Sequence, residues 1–266
     1  MNLIVCVKEI PDPETPASAF AIDAEAKRAI PAKDTPPVIS PFDEQAVEAA
    51  LRLKDQFGGK VTVLSMGAAS AEKVLKHTLS MGADEAFLLK DAAFDNPDST
   101  STAYALSQAI KKVGEFDIIF CGRQAGDFDA GQVGTGIAEM LGLPSVTVAK
   151  KIEVTDSKAR VERMLPDGYE VVEVGLPALI TVSNELGEPR YATLKGIMAA
   201  AKKTVPVWSA GDIDADASKL GAAGAKVKML KLFIPERVSK CEIIGGENEE
   251  EAATNLALKL REAKLI

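Results

Sequence analysis

A short apolar run followed by an amphipathic, helix-like segment recurs four times in the first 150 residues. The predicted strands cover residues 3–7, 61–65, 85–89, 117–121 and 146–148, and the predicted helices cover residues 43–56, 70–81, 99–113 and 130–141. Strands that alternate with helices form parallel sheets, because each crossover returns the chain to the same edge. We therefore predict an α/β fold with a doubly wound, mostly parallel sheet in the strand order 3-2-1-4-5.

Three segments depart from this repeat. Residues 8–42 are Pro-rich, and loops of this length are usually functional or disordered. Residues 151–174 hold three alternating runs joined by turn residues, which predicts an antiparallel excursion before a further strand at 178–182. After Lys203 no regular unit is predicted before a charged helix at 247–263, so we divide the chain into an α/β domain at residues 1–203 and an extended C-terminal arm with its helix at residues 204–266.

Charge and composition argue against several classes of protein. The formal net charge of −8 disfavours a nucleic-acid partner, because phosphate backbones need a basic surface. No run approaches the roughly 18 apolar residues that cross a bilayer, and residues 1–7 lack the basic flank and cleavage site of a signal peptide, so we expect no membrane insertion and a cytoplasmic location. With isolated cysteines and one histidine, His77, we predict no catalytic residue and no metal ligand.

The loops after the first and fourth strands are the predicted ligand site. Ligands of doubly wound sheets bind beyond the carboxyl ends of the strands, where the strand order reverses, and here that point lies between Val7 and Cys121. Gly131, Gly134 and Gly136 fall in or beside the first turns of the fourth helix, where each costs about 1 kcal/mol relative to alanine. Backbone approach by a pyrophosphate is the favoured explanation, and tight packing of the helix on the sheet is the alternative.

Polar side chains in the same loop suit a nucleotide. Gln132 and Thr135 would add donors to a phosphate, and Asp127 or Asp129 would cap the helix or accept from ribose hydroxyls. The loop matches neither the classical dinucleotide fingerprint nor the P-loop, so it does not identify a nucleotide class.

A second constellation follows the strand predicted at 178–182. Leu194, Ile197 and Met198 are apolar at helical spacing, and a helix that faces the core is the common explanation of such a pattern. The segment nevertheless follows a strand end and is bounded by basic residues such as Lys202 and Lys203. These features favour an exposed peptide that docks on another protein.

Several motifs together resemble the beta subunits of electron transfer flavoproteins. They occur in order over the whole chain: Val7-Lys8 with Pro11-Asp12, Ser40-Pro41-Phe42-Asp43-Glu44, Ser80-Met81-Gly82-Ala83-Asp84, Gly122-Arg123-Gln124-Ala125 with residues 127–134, Gly168-Tyr169-Glu170, Leu176-Pro177-Ala178 and Glu188-Pro189-Arg190-Tyr191-Ala192-Thr193-Leu194. The segment from Leu176 to Leu194 is highly specific to that family.

The resemblance implies an electron carrier that works as an obligate heterodimer with an alpha subunit. FAD would be bound mainly by that subunit and shared with this chain, which would itself hold AMP or a second FAD. The implied nucleotide pocket consists of Cys6, Ser40, Pro41, Phe42, Met66, Gly67, Asp127, Phe128, Asp129, Ala130, Gly131, Gln132, Val133, Gly134, Thr135, Gly136, Ile137 and Ala138. We add Arg123, whose charge at the switch point would stabilise an anionic reduced flavin.

The resemblance also implies the partners. The docking segment would be residues 189–199, with Pro189, Arg190, Tyr191, Leu194, Ile197 and Met198 as its contact residues and Leu194 as its anchor. It would meet an acyl-CoA-type or other dehydrogenase, while the C-terminal arm would wrap the alpha subunit.

The second nucleotide stays open between AMP and FAD. The long loop after the first strand and the Pro11-Asp12 stretch favour FAD, in which case NADH is a candidate donor and the heterodimer would carry out flavin-based electron bifurcation. Phe128 and Thr135 argue against FAD, because relatives that bifurcate electrons usually carry a small residue and often a proline there. A regulatory ATP- or AMP-binding module of the same fold is the alternative function, and it leaves the segment around Arg190 unexplained.

Overall fold

The computed structural model describes residues 1–16, 19–30, 35–235 and 241–266. Its centre is a nine-stranded sheet. From one edge to the other the strands are β11 (Gly168–Gly175), β10 (Lys158–Leu165), β9 (Ser145–Thr155), β12 (Ala178–Val182), β8 (Ile118–Gly122), β1 (Asn2–Cys6), β6 (Lys60–Met66), β7 (Glu85–Leu89) and β13 (Val207–Trp208). The predicted α/β class with a mostly parallel sheet and an antiparallel excursion is confirmed, since only β9, β10 and β11 pair antiparallel within it.

Helices from the same part of the chain cover both faces of this sheet. The helices of the described residues are α1 (Pro41–Phe57), α2 (Glu72–Met81), α3 (Ser99–Val113), α4 (Val133–Leu141), α5 (Leu194–Lys202), α6 (Gly221–Gly224) and, in a separate unit, α7 (Glu249–Glu262). The inward stripes of α1 and α2 pack on one face, with Val5 and Phe120 of the sheet, whereas α3 and α4 pack on the other, with Ile4 and Ile119. Successive residues of one strand therefore pack in opposite halves of the core, as expected of a sheet buried on both sides.

The strand order differs from the prediction at one place. The order β7-β6-β1-β8 matches the predicted 3-2-1-4, but the next position belongs to β12, and β9, the predicted fifth strand, lies one place further out. All five residues of β12 are buried, whereas the burial of β9 alternates along its outer half. A strand whose residues are all buried is most stable between two neighbouring strands, which explains why β12 returns into the sheet beside β8.

The fourth helix begins later than predicted. It starts at Val133 rather than at residue 130, because Asp129 and Gly131 both have positive φ, at 51° and 64°, and cannot be part of a right-handed helix. The predicted bounds of α3 are confirmed, and Asp98 caps it by accepting from the Ser101 N–H in a capping box.

The Pro-rich segment contains two small strand pairs. β2 (Glu9–Ile10) pairs with β5 (Val38–Ile39), and β3 (Ala21–Asp23) pairs with β4 (Arg28–Ile30). Residues 17–18 and 31–34 of the segment lie outside the described residues. The β2–β5 pair holds the two ends of the segment together beside the carboxyl end of β1.

The described chain groups into two compact units, Met1–Leu232 and Phe233–Ile266. In the first, β13 pairs with β7, and the ring of Trp208 stacks on that of Phe87 with centroids 4.1 Å apart, so regular structure resumes soon after α5. In the second, Asn248 caps α7, since its side chain accepts from the Glu251 N–H. Among the described residues, no helix is both long and apolar enough to span a membrane.

Candidate functional site

The carboxyl ends of β1 and β8 lie side by side at the point where the strand order reverses. These two parallel strands pair from Leu3 and Ile118 to Cys6 and Cys121. An ion pair joins the loops that follow them, since Lys8 Nζ lies 2.6 Å from Asp127 Oδ2. The predicted site residues thus lie where the strand order reverses, which is the position in which doubly wound folds bind their ligands, and we call the region between the two loops the crevice.

Two buried thiols lie at the carboxyl ends of the two strands. Cys6 and Cys121 are register partners across the strand pair, and both are 5% exposed. The hydrogen bond with the Cys6 thiol, followed by burial, raises the pKa of Cys121. Both effects favour the neutral thiol, so Cys121 is not an activated nucleophile.

The start of α1 forms one wall of the crevice. Ser40 is fully buried, and its hydroxyl oxygen accepts from the Gly126 N–H at 3.2 Å. The Phe42 ring lies under the Arg123 guanidinium, with 5.0 Å between the guanidinium carbon and the ring centroid. Residues predicted from the first and fourth strand loops are therefore in direct contact.

Asp43, which the sequence analysis did not select as a site residue, ties the two strand ends together. Its Oδ2 accepts from the Lys8 N–H at 2.8 Å, and its Oδ1 accepts from the Gly122 N–H at 3.0 Å. Burial raises the pKa of Asp43 to about 7, although the two amide hydrogen bonds and the Lys8 ammonium lower it. A signal was present in the sequence, because Asp43 lies three and four residues before Ala46 and Val47 and so places an acid on the inward stripe.

The loop after β8 is held by its own polar side chains. Gln124 Nε2 donates to Asp129 Oδ1 at 2.8 Å, and the Asp129 N–H donates to the Ala125 carbonyl oxygen at 3.0 Å. Phe128 is 58% exposed, and the Lys8 ammonium lies 5.1 Å from its ring centroid. Phe128 therefore stands at the rim of the crevice instead of filling it.

Packing accounts for two of the three glycines in this region. A Cβ at Gly134 would lie 2.8 Å from Thr181 Cγ2 and 3.4 Å from Cys121 Cβ, and one at Gly136 would lie 2.9 Å from Ala103 Cβ. These positions need glycine for α4 to approach the sheet and α3, whether or not a phosphate binds. Gly131 differs, because it is exposed with φ +64° and belongs to the turn before α4.

A cleft of about 290 Å³ lies beside the first turns of α3 and α4. Its lining combines Ser99, Thr100, Gln132, Thr135, Gly136 and Met140. The unpaired N–H groups of a helix start and its positive dipole end favour an anion, and hydroxyl and amide side chains add donors. The structure thus brings the predicted Gln132 and Thr135 together with Ser99 and Thr100, which the sequence analysis did not select because they follow a different strand.

The remaining predicted pocket residues lie at several depths. Ile137 and Ala138 are buried in the core beneath α4, and Val133 is partly buried against the same core. Met66 ends β6 and is also partly buried there, while the Gly67 N–H donates to the Leu89 carbonyl oxygen at 3.1 Å. Ala130 and Pro41 are exposed.

A buried carboxylate on α1 holds the base of the docking segment, residues 189–199. Glu48, with a side chain only 5% exposed, accepts from Arg190 Nε at 2.7 Å and from Arg52 Nε at 2.8 Å. Arg52 in turn donates to the carbonyl oxygens of Leu186 and Glu188. Burial opposes ionisation of Glu48, but hydrogen bonds from the two arginines outweigh it and lower the pKa of this carboxyl. The chain entering the docking segment is therefore firmly anchored.

The tip of the docking segment is exposed. Tyr191 is 91% exposed, Leu194 74%, Ile197 51% and Met198 56%, so the interpretation of α5 as a core-facing helix is wrong. Thr193 caps α5 by accepting from the Gly196 N–H at 3.0 Å. An ordered helix start with several large apolar side chains in solvent is typical of a protein interaction surface.

Comparisons with known proteins agree with these features. A model of the electron transfer flavoprotein domain family matches residues 30–213. Over the full length of both proteins, the chain is 44% identical to the electron transfer flavoprotein subunit beta of Thermoanaerobacterium thermosaccharolyticum and 39% identical to the caffeyl-CoA reductase-Etf complex subunit CarD of Acetobacterium woodii. It is likewise 37% identical to the acryloyl-CoA reductase electron transfer subunit gamma of Anaerotignum propionicum, with complete coverage of both chains.

Proposed function

The chain belongs to the electron transfer flavoprotein family as a beta-type subunit, and from that premise we propose that it binds an adenine nucleotide and carries electrons as a heterodimer with an alpha subunit. In this proposal it is an electron carrier that completes a redox enzyme with its partner subunit. The observation that carries the proposal is the crevice at the ends of β1 and β8, where the loops of both strands and the start of α1 meet.

The residues around the crevice fit a nucleotide. The cleft beside α3 and α4 offers Gln132, Thr135, Ser99 and Thr100 to phosphate oxygens next to the positive start of α4. Asp129 lies in the exposed turn before α4, where its carboxylate can accept from ribose hydroxyls. This chain's part is to hold and orient the nucleotide, while a bound flavin supplies the electron chemistry.

We favour FAD over AMP as the nucleotide of this crevice. Arg123 is held over the Phe42 ring at the switch point, where its fixed charge would stabilise an anionic reduced flavin. Phe128 is mostly exposed, which weakens the objection that it narrows the pocket. With FAD in this crevice and a second FAD shared with the alpha subunit, NADH is the proposed donor and electron bifurcation the proposed activity of the heterodimer.

We further propose that the docking segment binds the partner dehydrogenase through Leu194, Ile197 and Met198. The names of two relatives place them in caffeyl-CoA and acryloyl-CoA reductase systems, which supports an acyl-CoA-type partner. Residues 204–266 are proposed to contact the alpha subunit. A regulatory ATP- or AMP-binding module would not need these exposed apolar side chains, so the carrier function is preferred.

Counting nucleotides tests the proposal. The chain is co-expressed with its alpha subunit, the purified complex is denatured, and the released nucleotides are separated by chromatography. Two FAD per heterodimer supports bifurcation, one FAD with one AMP supports a single-flavin carrier, and a chain without any adenine nucleotide overturns the proposal.

A pair of variants tests the position of the phosphates. Gln132→Ala combined with Thr135→Ala removes two exposed side chains from the cleft, so we expect loss of nucleotide from a folded protein. Glu139→Ala, an exposed change one turn further along α4, is the control and should keep its nucleotide. Full nucleotide content in the double variant would place the phosphates elsewhere.

A further inference from the structure

Asp43 lies between the two strand ends that form the crevice. It is 7% exposed in the first turn of α1, and its two carboxylate oxygens accept from different elements. One oxygen receives the N–H of Lys8, in the loop after β1, and the other receives the N–H of Gly122, the last residue of β8. A single side chain therefore bridges the backbones that leave the two strands.

Gly122 allows this close approach. A Cβ at position 122 would lie 2.5 Å from Asp43 Oδ1 and 2.8 Å from the carbonyl carbon of Phe42. No side chain could therefore occupy this position while the carboxylate accepts from the Gly122 N–H. The glycine and the acid form one interlocked unit at the base of the site.

We propose that Asp43 is a positioning residue of the nucleotide crevice, and that nucleotide binding is linked to the loss of a proton from its carboxyl group. The inference rests on the proposed nucleotide binding and adds to it the group that holds the crevice in its binding geometry. Only the carboxylate can accept from both amides with full strength, because protonation converts one oxygen into a donor that faces an N–H. The protonated form would thus loosen one of the two strand ends.

The charged groups around Asp43 support titration near neutral pH. Burial raises the pKa of Asp43 to about 7, with the charge of Asp127, from the loop after β8, acting in the same direction and the Lys8 ammonium acting against it. Beneath it, the Cys121 thiol has a raised pKa and stays neutral. On its own helix, Glu44 is paired with His77 of α2 at 2.6 Å. Arg123 lies above, over the neighbouring Phe42 ring.

The direction and size of the pH effect on nucleotide affinity follow from the pKa of Asp43. The ionised fraction of Asp43 falls as the pH falls through about 7, so affinity falls in the same direction. If only the ionised form binds, the apparent dissociation constant rises roughly tenfold from pH 8 to pH 6.

The test measures AMP binding, since AMP is also the adenylate half of FAD. The full chain in complex with its alpha subunit is stripped of nucleotide and titrated with AMP at pH 6, 7 and 8. We expect the wild type to bind roughly tenfold more weakly at pH 6 than at pH 8, beyond any change seen in Asp43→Asn. Asp43→Asn, which has a single acceptor oxygen, should bind weakly at every pH, and its profile corrects for titration of the AMP phosphate.

Two further variants complete the test. His77→Gln removes the only histidine of the chain and should keep the wild-type profile. Gly122→Ala, whose methyl group would displace the carboxylate, should bind weakly like Asp43→Asn and decides the question if that variant does not fold. Equal pH profiles in wild type and Asp43→Asn would overturn the inference about Asp43 but leave the nucleotide proposal intact. A wild type that binds no AMP at any pH would overturn the nucleotide proposal itself.

Discussion

Replacing Gly134 by alanine should destabilise the protein, even though alanine is the better helix former. Gly134 lies in the first turn of α4 and is buried against β8 and β12. An added Cβ would lie 2.8 Å from Thr181 Cγ2 and 3.5 Å from Leu179 Cδ2. Thr181 is 4% exposed and its hydroxyl oxygen accepts from the Val148 N–H at 3.0 Å, so it cannot rotate away without losing that bond.

The magnitude follows from two opposing terms. Overpacking of a tight core contact costs about 1–3 kcal/mol, and the gain in helix propensity returns about 1 kcal/mol. Because the contact is close and Thr181 is held, we take an overpacking cost of about 3 kcal/mol, at the upper end of its range. Subtracting the propensity gain of about 1 kcal/mol leaves a net loss of about 2 kcal/mol. For a chain of this size such a loss lowers the melting temperature by about 4–8 °C.

Thermal unfolding with and without AMP is the assay. Gly134→Ala should melt earlier in both conditions, because the clash exists without a ligand. Gly168→Ala is the matched control, since a Cβ there meets nothing within 4 Å, and it should change stability by less than about 0.5 kcal/mol. An unchanged or higher melting temperature for Gly134→Ala would refute the packing argument. It would favour close approach by a phosphate as the reason for glycine at this position.

Three further changes test other parts of the molecule. Leu194→Ala should weaken docking to the dehydrogenase by about 2 kcal/mol or more, seen as slower reduction of the heterodimer with nucleotide content unchanged, and Val171→Ala on β11 is its exposed control. Glu48→Gln should loosen the chain around Arg190, so amide exchange in residues 186–193 rises and electron transfer slows; unaltered exchange would contradict the anchoring role. Asp98→Ala should cost about 1 kcal/mol of unfolding free energy by removing the cap of α3, which chemical denaturation measures.

Much of the fold follows from local patterns that need no knowledge of distant residues. The limits of α3 are encoded by Asp98 at its start and Gly114 after its end, and the alternation of strands and helices is sufficient for a parallel sheet. The position of the crevice follows as well, because the strand order 3-2-1-4 places the ends of β1 and β8 side by side. The exposure of Leu194 was also correctly predicted from a local pattern, because basic residues border its segment.

Other features depend on partners that are far away in the chain. The place of β12 between β8 and β9 depends on which neighbours bury all its side chains, and periodicity within β12 carries no such information. Gly134 is close to Thr181 and Asp43 is bonded to Gly122 only after the sheet has formed. Sequence periodicity places a residue on a face of its own element, whereas the atom it meets across the interface is set by how the elements pack, and for that reason the link between Asp43 and the two strand ends became visible only in three dimensions.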